Sequence, residues 1–331
     1  MQDSFRTSFE ITPFAKKIEI EKSILFVGSC FSENMGKRLA QHKLKTLINP
    51  FGIVYNPISL SNHLKAILTK KEYTREDLFF DDEVWKSFDH HSSFNSREIE
   101  NGLEKINTCI NQANGSLKTT NWLFITFGSA WVYEKVDDKK IVANCHKLPA
   151  RKFTKRLLFV EEITQQYKTL IAEIAERYPK LNICFTVSPV RHWKDGVVEN
   201  QQSKSTLLLA VAQLVEELKN GYYFPAYEIM MDDLRDYRFY TNDMLHPNEL
   251  ALDYIWGKFS NAFFSQKLQQ LIAKAQKLNR AIAHKPFNYK SENHQKFIRE
   301  QLEFIKELES TYPSIDLSDE KTHFLDQKST G

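Results

Sequence analysis

The sequence predicts an α/β protein: a parallel sheet covered by helices on both faces, a three-layer α/β/α sandwich with a helical extension at its C-terminal end. Three observations carry this. Short apolar runs, Ile24-Leu-Phe-Val27, Trp122-Leu-Phe-Ile-Thr-Phe127 and Asn182-Ile-Cys-Phe-Thr-Val187, each lead into a small residue, as strands buried on both faces do. Stretches with apolar residues at helical spacing separate them, the alternation that builds a parallel sheet. From about residue 266 onward the chain becomes rich in Lys, Gln and Glu, with no strand pattern.

The elements follow in order. Ile24–Val27 is a strand ending at Gly28, and Phe31–Gln41 is a helix carrying Met35, Leu39 and Ala40 on one face. Thr46–Ile48 is a second strand, and Pro57 opens a helix through Leu68, since proline suits the first helical turn. Residues 73–96 are aromatic and acidic without a period and read as a loop. Glu98–Ala113 reads as a helix, and Trp122–Phe127 as the clearest strand. Trp131–Val142 reads as a hairpin turning at Asp137-Asp138, and Glu161–Tyr178 as a helix stopped by Pro179. After the strand Asn182–Val187, a helix is expected over Glu199–Asn220, closed by Gly221 as its cap. The last strand is expected within Tyr222–Met231, and Pro247 opens a helix to Phe264. The extension, 266–331, reads as two helices with apolar stripes at Ala281-Ile-Ala283, Phe297-Ile298 and Leu302, Ile305, Leu308, then about 15 disordered residues.

Composition excludes several classes. Basic residues number 45 against 42 acidic, a net charge of +3, which lacks the cationic excess that drives nucleic-acid binding. Cys30, Cys109, Cys145 and Cys184 are scattered with no Cys-x-x-Cys, so neither a disulfide framework nor a zinc site is expected. His90-His91 and Cys145-His146 match no common metal spacing. The first residues lack the apolar core of a secretion signal. No apolar run approaches the ~18 residues of a membrane span. The expectation is a cytoplasmic protein with no membrane contact. Its oligomeric state is not written in the sequence.

In open α/β sheets the chemistry lies beyond the carboxyl ends of the strands. Those ends carry Gly28-Ser29-Cys30-Phe31, Pro50-Phe51-Gly52, Gly128-Ser129, Ser188-Pro-Val-Arg191-His192 and Asp243-Met-Leu-His246-Pro247. No Gly-x-Gly-x-x-Gly or Gly-x-x-x-x-Gly-Lys occurs, so no nucleotide-type cofactor is expected. The composition of these ends suits nucleophilic catalysis instead. A nucleophile at a strand-to-helix turn meets free backbone N–H groups and the helix dipole, which stabilise a thiolate or an oxyanion. The plain alternative is that Ser29 only caps the helix and Cys30 is a small buried hydrophobe. Asp243, three residues before His246, can accept from the imidazole and leave its other nitrogen as a base. Arg191 and His192 should face the same mouth, Arg191 as an anion-binding group.

The two outer blocks together resemble the GSCFA family, a distant relative of the SGNH (GDSL-type) esterases. Gly28-Ser29-Cys30-Phe31 is similar to the motif that gives the family its name, with Ser32 where the name has Ala. Asp243-Met-Leu-His246-Pro247 resembles the last SGNH block. The resemblance implies a flavodoxin-like sheet over 1–265, with 266–331 as an extension outside that core. Aligning Gly-Asp-Ser of the SGNH enzymes on Gly28-Ser29-Cys30 puts Cys30 in the nucleophile position, with Ser29 the alternative. It further implies His246 as base, Asp243 as its orienting partner and Gly52 as an oxyanion donor. The third block departs: Gly128-Ser-Ala-Trp131 lacks the expected Asn, whose place Asn144 would take. The implied function is an acyl-ester hydrolase or acyltransferase working on an acylated glycan or small molecule. The rival is a non-catalytic binding or scaffold protein on the same fold. If the reading holds, Cys30 or Ser29 should lie within hydrogen-bond reach of His246, or one water further.

Overall fold

The structure, a computed structural model, describes residues 7–218 and 220–329. In chain order the elements are β1 (Ser23–Gly28), α1 (Cys30–Gln41), β2 (Thr46–Ile48), α2 (Pro57–Thr69), β3 (Phe79–Asp81), β4 (Val84–Lys86), α3 (Ile99–Leu117), β5 (Thr120–Phe127), β6 (Trp131–Lys135), β7 (Ile141–Val142) and β8 (Phe153–Leu157). Then come α4 (Val160–Arg177), β9 (Asn182–Val187), α5 (Val197–Glu217), β10 (Gly221–Tyr223), α6 (Ala226–Glu228) running into a π-helical turn, α7 (Glu249–Phe263), α8 (Gln266–Ala283), α9 (Glu292–Thr311) and α10 (Ser318–Ser329).

The central sheet is parallel throughout, in the order β10-β9-β5-β1-β2. Side chains alternate across it, because successive Cβ atoms point to opposite faces. Ile24, Phe26, Trp122, Phe124 and Cys184 face one core with α1, α7 and the C-terminal helices. Leu25, Val27, Leu123, Ile125, Phe127, Ile183, Phe185 and Val187 face the other with α2, α3, α4 and α5. Both faces are covered, which explains why the strands read as unbroken apolar runs. The three-layer α/β fold follows the expectation. The chain order of the strands reverses between β1 and β5, and such a switch point opens a crevice for ligands.

Four local expectations are corrected. Residues 73–96 are not all loop: β3 and β4 form an antiparallel hairpin. Its turn residues Asp82 and Glu83 both have positive φ, 51° and 60°, a turn geometry usually signalled by Asn-Gly, so the sequence hid it. The 131–142 hairpin gains a third strand, β8, paired with β6; β8 exposes Thr154 and Lys155 and so lacks an apolar signature. Gly221 does not cap α5, which ends at Glu217; it begins β10, and that strand covers only Gly221–Tyr223. The final residues are not a disordered tail where described. α10 buries Phe324, and Leu317 just before it is buried too. Leu268, Leu271, Ile298, Ile305 and Leu308 join the same core as Phe259 and Ile255.

Candidate active site

β1 ends at Gly28, whose φ is +132°. A Cβ there would lie 2.2 Å from the Thr126 carbonyl oxygen of β5, so only glycine lets the strands close at this point. The next residue, Ser29, is wholly buried, and its Oγ accepts from the Phe31 amide at 3.3 Å. Ser29 is therefore the N-cap of α1. Cys30, the first residue of the helix, remains partly accessible. Burial pushes its thiol pKa up; the amides of Cys30 and Phe31 and the Lys204 charge pull it down, while Glu33 pushes it up.

The turn after β2 braces this bend. Asn49, at φ 43°, accepts from the Gly28 amide through Oδ1 at 2.8 Å. Gly52 gives its own N–H to the Asn49 carbonyl at 2.7 Å. The N–H expected to face the cavity as an oxyanion donor instead closes that turn. The Gly128 amide is likewise engaged, with the Tyr55 carbonyl at 2.8 Å. The amides of Cys30 and Phe31 act on the thiol, and the Phe31 amide also donates to Ser29 Oγ at 3.3 Å.

Asp243 and His246 meet as their spacing predicts. His246 Nδ1 lies 2.6 Å from Asp243 Oδ2. Asp243 Oδ1 accepts from the His246 amide (3.0 Å), the Thr241 hydroxyl (2.7 Å) and the Leu245 amide (2.9 Å). The His246 and Leu245 amides and the Thr241 hydroxyl, with the imidazole, hold the Asp243 carboxyl well below the usual carboxylate range. With Nδ1 occupied, Nε2 is free to accept a proton. The pair is about half exposed. Among the described residues no hydrogen bond joins Cys30 directly to His246. The loop is tied to the β9 end by the Arg191 amide, 3.5 Å from the Leu245 carbonyl.

Arg191 and His192 do reach this mouth. The Arg191 guanidinium lies 5.0 Å from the Trp193 ring centroid, and its Nε is buried without a partner. The His192 amide donates to Asn200 Oδ1 at 2.8 Å, and its ring meets Tyr55 edge-on at 5.1 Å. His192 Nε2 is buried without a partner. Burial, with the charges of Lys204 and His246, brings its pKa down to about 4, against an upward pull from Asp195. His192 is thus within electrostatic reach of Lys204 on one side and His246 on the other. Tyr55, in turn, feels Cys30 and Glu33.

Beside Tyr55 opens a cavity of about 590 Å³ between the β6–β7–β8 sheet and the strand ends. Tyr55, Trp131, Tyr133 and Phe153 supply aromatic walls, with Asn144, His146 and His192 between them. Asn144 Oδ1 accepts from the His146 amide at 2.8 Å. His146 donates Nε2–H to the Ser87 carbonyl at 2.7 Å, which leaves Nδ1 as a buried acceptor without a partner. No group of His, Cys, Asp and Glu suited to a metal occurs among the described residues. No helix among them is long and apolar enough to cross a membrane.

Sequence reasoning missed Asn49, Tyr55 and Lys204. Lys204 left a trace: Asn200, Ser203 and Lys204 stand on the buried stripe of α5 continued by Leu207, Ala210, Val211 and Leu214. Three polar side chains on a core-facing stripe need partners inside.

The fold and strand-end groups define a doubly covered parallel α/β domain with a Gly-Ser-Cys turn at its switch point. In sequence, residues 23–259 match the GSCFA family and residues 275–329 match the GSCFA domain protein, C-terminal domain. The chain belongs to the GSCFA family. No curated protein matches it in sequence.

Proposed function

We propose that the protein is an acyl-ester hydrolase or acyltransferase, with Cys30 as nucleophile and the Asp243–His246 pair as general base. The observation that carries this is the first turn of α1. Cys30 keeps access to solvent at the N-terminus of α1, where its own amide and that of Phe31 favour the thiolate, and Ser29 is buried as a cap. In the first step His246 Nε2 takes the thiol proton as sulfur attacks the acyl carbon. The C–S bond forms, the carbonyl π electrons move to oxygen, and the Cys30 amide at the N-terminus of α1 meets that charge. Collapse expels the alcohol, which leaves with the proton from His246. Water or an acceptor hydroxyl then attacks the thioester by the reverse sequence. His246 is not bonded to Cys30 in the free protein, and such catalytic contacts often tighten only in the complex or pass through one water. The resemblance of Asp243-Met-Leu-His246-Pro247 to the last block of the SGNH esterases supports the reaction class.

The cavity beside Tyr55 supports a sugar-linked acyl ester as substrate. Its aromatic walls, Tyr55, Trp131, Tyr133 and Phe153, suit ring C–H surfaces. The experiment is mass spectrometry of the protein after brief exposure to p-nitrophenyl acetate, with Cys30→Ala and His246→Ala beside it. An acetyl mass on the Cys30 peptide, absent from Cys30→Ala, is expected. Turnover that survives in both variants sinks the reading. The engaged Gly52 and Gly128 amides favour a second reading, a binding protein on the same fold. A Cys30 alkylated by iodoacetamide no faster than Cys109 would support it.

A further inference from the structure

The register of the sheet aligns the ends of its three central strands. Gly28 pairs with Thr126, and Thr126 pairs with Thr186. Two residues further along each chain stand Cys30, Gly128 and Ser188. A single side chain from α5 reaches these ends. Lys204 is wholly buried, and its Nζ donates to the Gly128 carbonyl at 3.0 Å and to the Ser188 carbonyl at 2.8 Å. The Tyr227 ring lies 5.5 Å from the same nitrogen. No carboxylate forms an ion pair with it among the described residues. An amine buried this deeply carries a large desolvation penalty when charged, and a Met or Leu would fill the site without it. Two carbonyls satisfy two of its hydrogens and leave one position, an N–H or a lone pair, unassigned.

We propose that Lys204 is the positioning residue of this site: it pins the Gly128 and Ser188 carbonyls at the mouth and supplies the positive charge that stabilises the Cys30 thiolate. The proposal rests on the reading of Cys30 as nucleophile and adds the device that makes the thiolate accessible. The charge balance of the pocket agrees. Burial brings the Lys204 pKa down to about 7, and Cys30 pulls it back up. The influence is mutual, since Lys204 lowers the Cys30 pKa against burial and Glu33. Other titratable groups facing the pair are Tyr55 from the entry to α2, His192 from the β9 end and Tyr227 from α6. None of them carries a positive charge near neutral pH: Tyr55 and Tyr227 are neutral or anionic, and His192 is neutral above about pH 4, whereas Lys204 is charged up to about pH 7. Lys204 is the cation placed to compensate a thiolate when the thiol proton leaves for the base.

The test is the pH profile of Cys30 alkylation by iodoacetamide, read by peptide mass spectrometry, in the wild type, Lys204→Met and Lys204→Arg. Lys204→Met should move the inflection upward by about one pH unit, so that labelling at a pH below it slows about tenfold. Lys204→Arg, which keeps the charge, should restore the wild-type inflection. An unchanged inflection in folded Lys204→Met overturns the proposal and leaves Cys30 as nucleophile untouched. A wild-type Cys30 that labels no faster than in the denatured protein overturns both. A second measurement needs no variant. In the wild type carrying 13C-labelled lysine, the Lys204 Cε resonance is titrated before and after Cys30 is capped with iodoacetamide. The titration should move to lower pH once the thiolate is lost; identical curves overturn the proposal.

Discussion

Asp243 Oδ2 sits 2.6 Å from His246 Nδ1, and the other oxygen of the same carboxylate accepts from both the His246 and the Leu245 amides. One side chain therefore sets both the ring and the loop that carries it. Asp243→Asn keeps an oxygen for the loop but can present an N–H to Nδ1, which forces the proton onto Nε2 and blocks it as a base. We expect acyl transfer to fall about 10²-fold or more, with the melting temperature unchanged. Activity within twofold of wild type would show that the pair takes no part.

Ser29 and Cys30 are neighbours with opposite expected phenotypes. Ser29→Ala removes an N-cap and should lower stability by about 1 kcal/mol while turnover persists. Cys30→Ala should leave the urea midpoint in place and abolish turnover. The reverse pattern would transfer the nucleophile to Ser29.

Glycine is required at the bend but not everywhere. Gly28→Ala adds a Cβ 2.2 Å from the Thr126 oxygen at a φ of +132°, and should destabilise by roughly 4 kcal/mol or prevent folding. Gly115→Ala, where nothing lies within 4 Å on helix α3, should stabilise by up to about 1 kcal/mol. Urea unfolding of both variants checks the contrast.

Acid should weaken the fold through its buried histidines. Burial lowers the pKa of His63 and His192 to about 4, and also depresses His90 and His146. Each folds neutral with a pKa below its unfolded value of 6.5. The unfolded chain therefore gains protons first, and stability is fully present above about pH 6.5 and is lost as pH falls towards 4. The urea midpoint should drop measurably between pH 7 and pH 5. A midpoint that stays level over that range would falsify the burial of these imidazoles as neutral groups.

Deleting residues 266–331 should strip cover from one face of the sheet. Leu268, Leu271, Ile298, Ile305, Leu308 and Phe324 would leave Ile255 and Phe259 facing water. Burying each large apolar side chain contributes about 1.5–3 kcal/mol, so the truncated chain should aggregate or melt much lower. A truncation as soluble and as heat-stable as the full chain would make the segment a detachable tail.

The central strands were legible because both their faces are buried, so apolar runs at Ile24, Trp122 and Asn182 stood out. The Asp243–His246 contact was legible because three residues within one turn decide it. Other features lay outside that logic. The β3–β4 hairpin turns on Asp82 and Glu83 at positive φ, a conformation their identities do not announce. Gly52 looked like a donor facing a ligand, yet Asn49 takes its N–H, and only the path of the backbone reveals that. Lys204 reads as an ordinary charged residue in a helix until its neighbours on the buried stripe are counted. Its carbonyl partners are 76 and 16 positions away.

The register that aligns Gly28, Thr126 and Thr186 also governs how the chain reaches its native state. β1 pairs on one side with β2, where Ile24 meets Thr46 only 22 positions on, and on the other with β5, where Gly28 meets Thr126 across 98 positions. Closing the larger loop must precede any reward from the central pairing. During synthesis β1, α1 and β2 emerge as a local unit whose β1 edge stays unpaired until β5 arrives, an open strand edge that invites association between nascent chains. Folding of this protein is therefore expected on the slow side for its size, with the Gly28 bend ordered only once β5 has arrived.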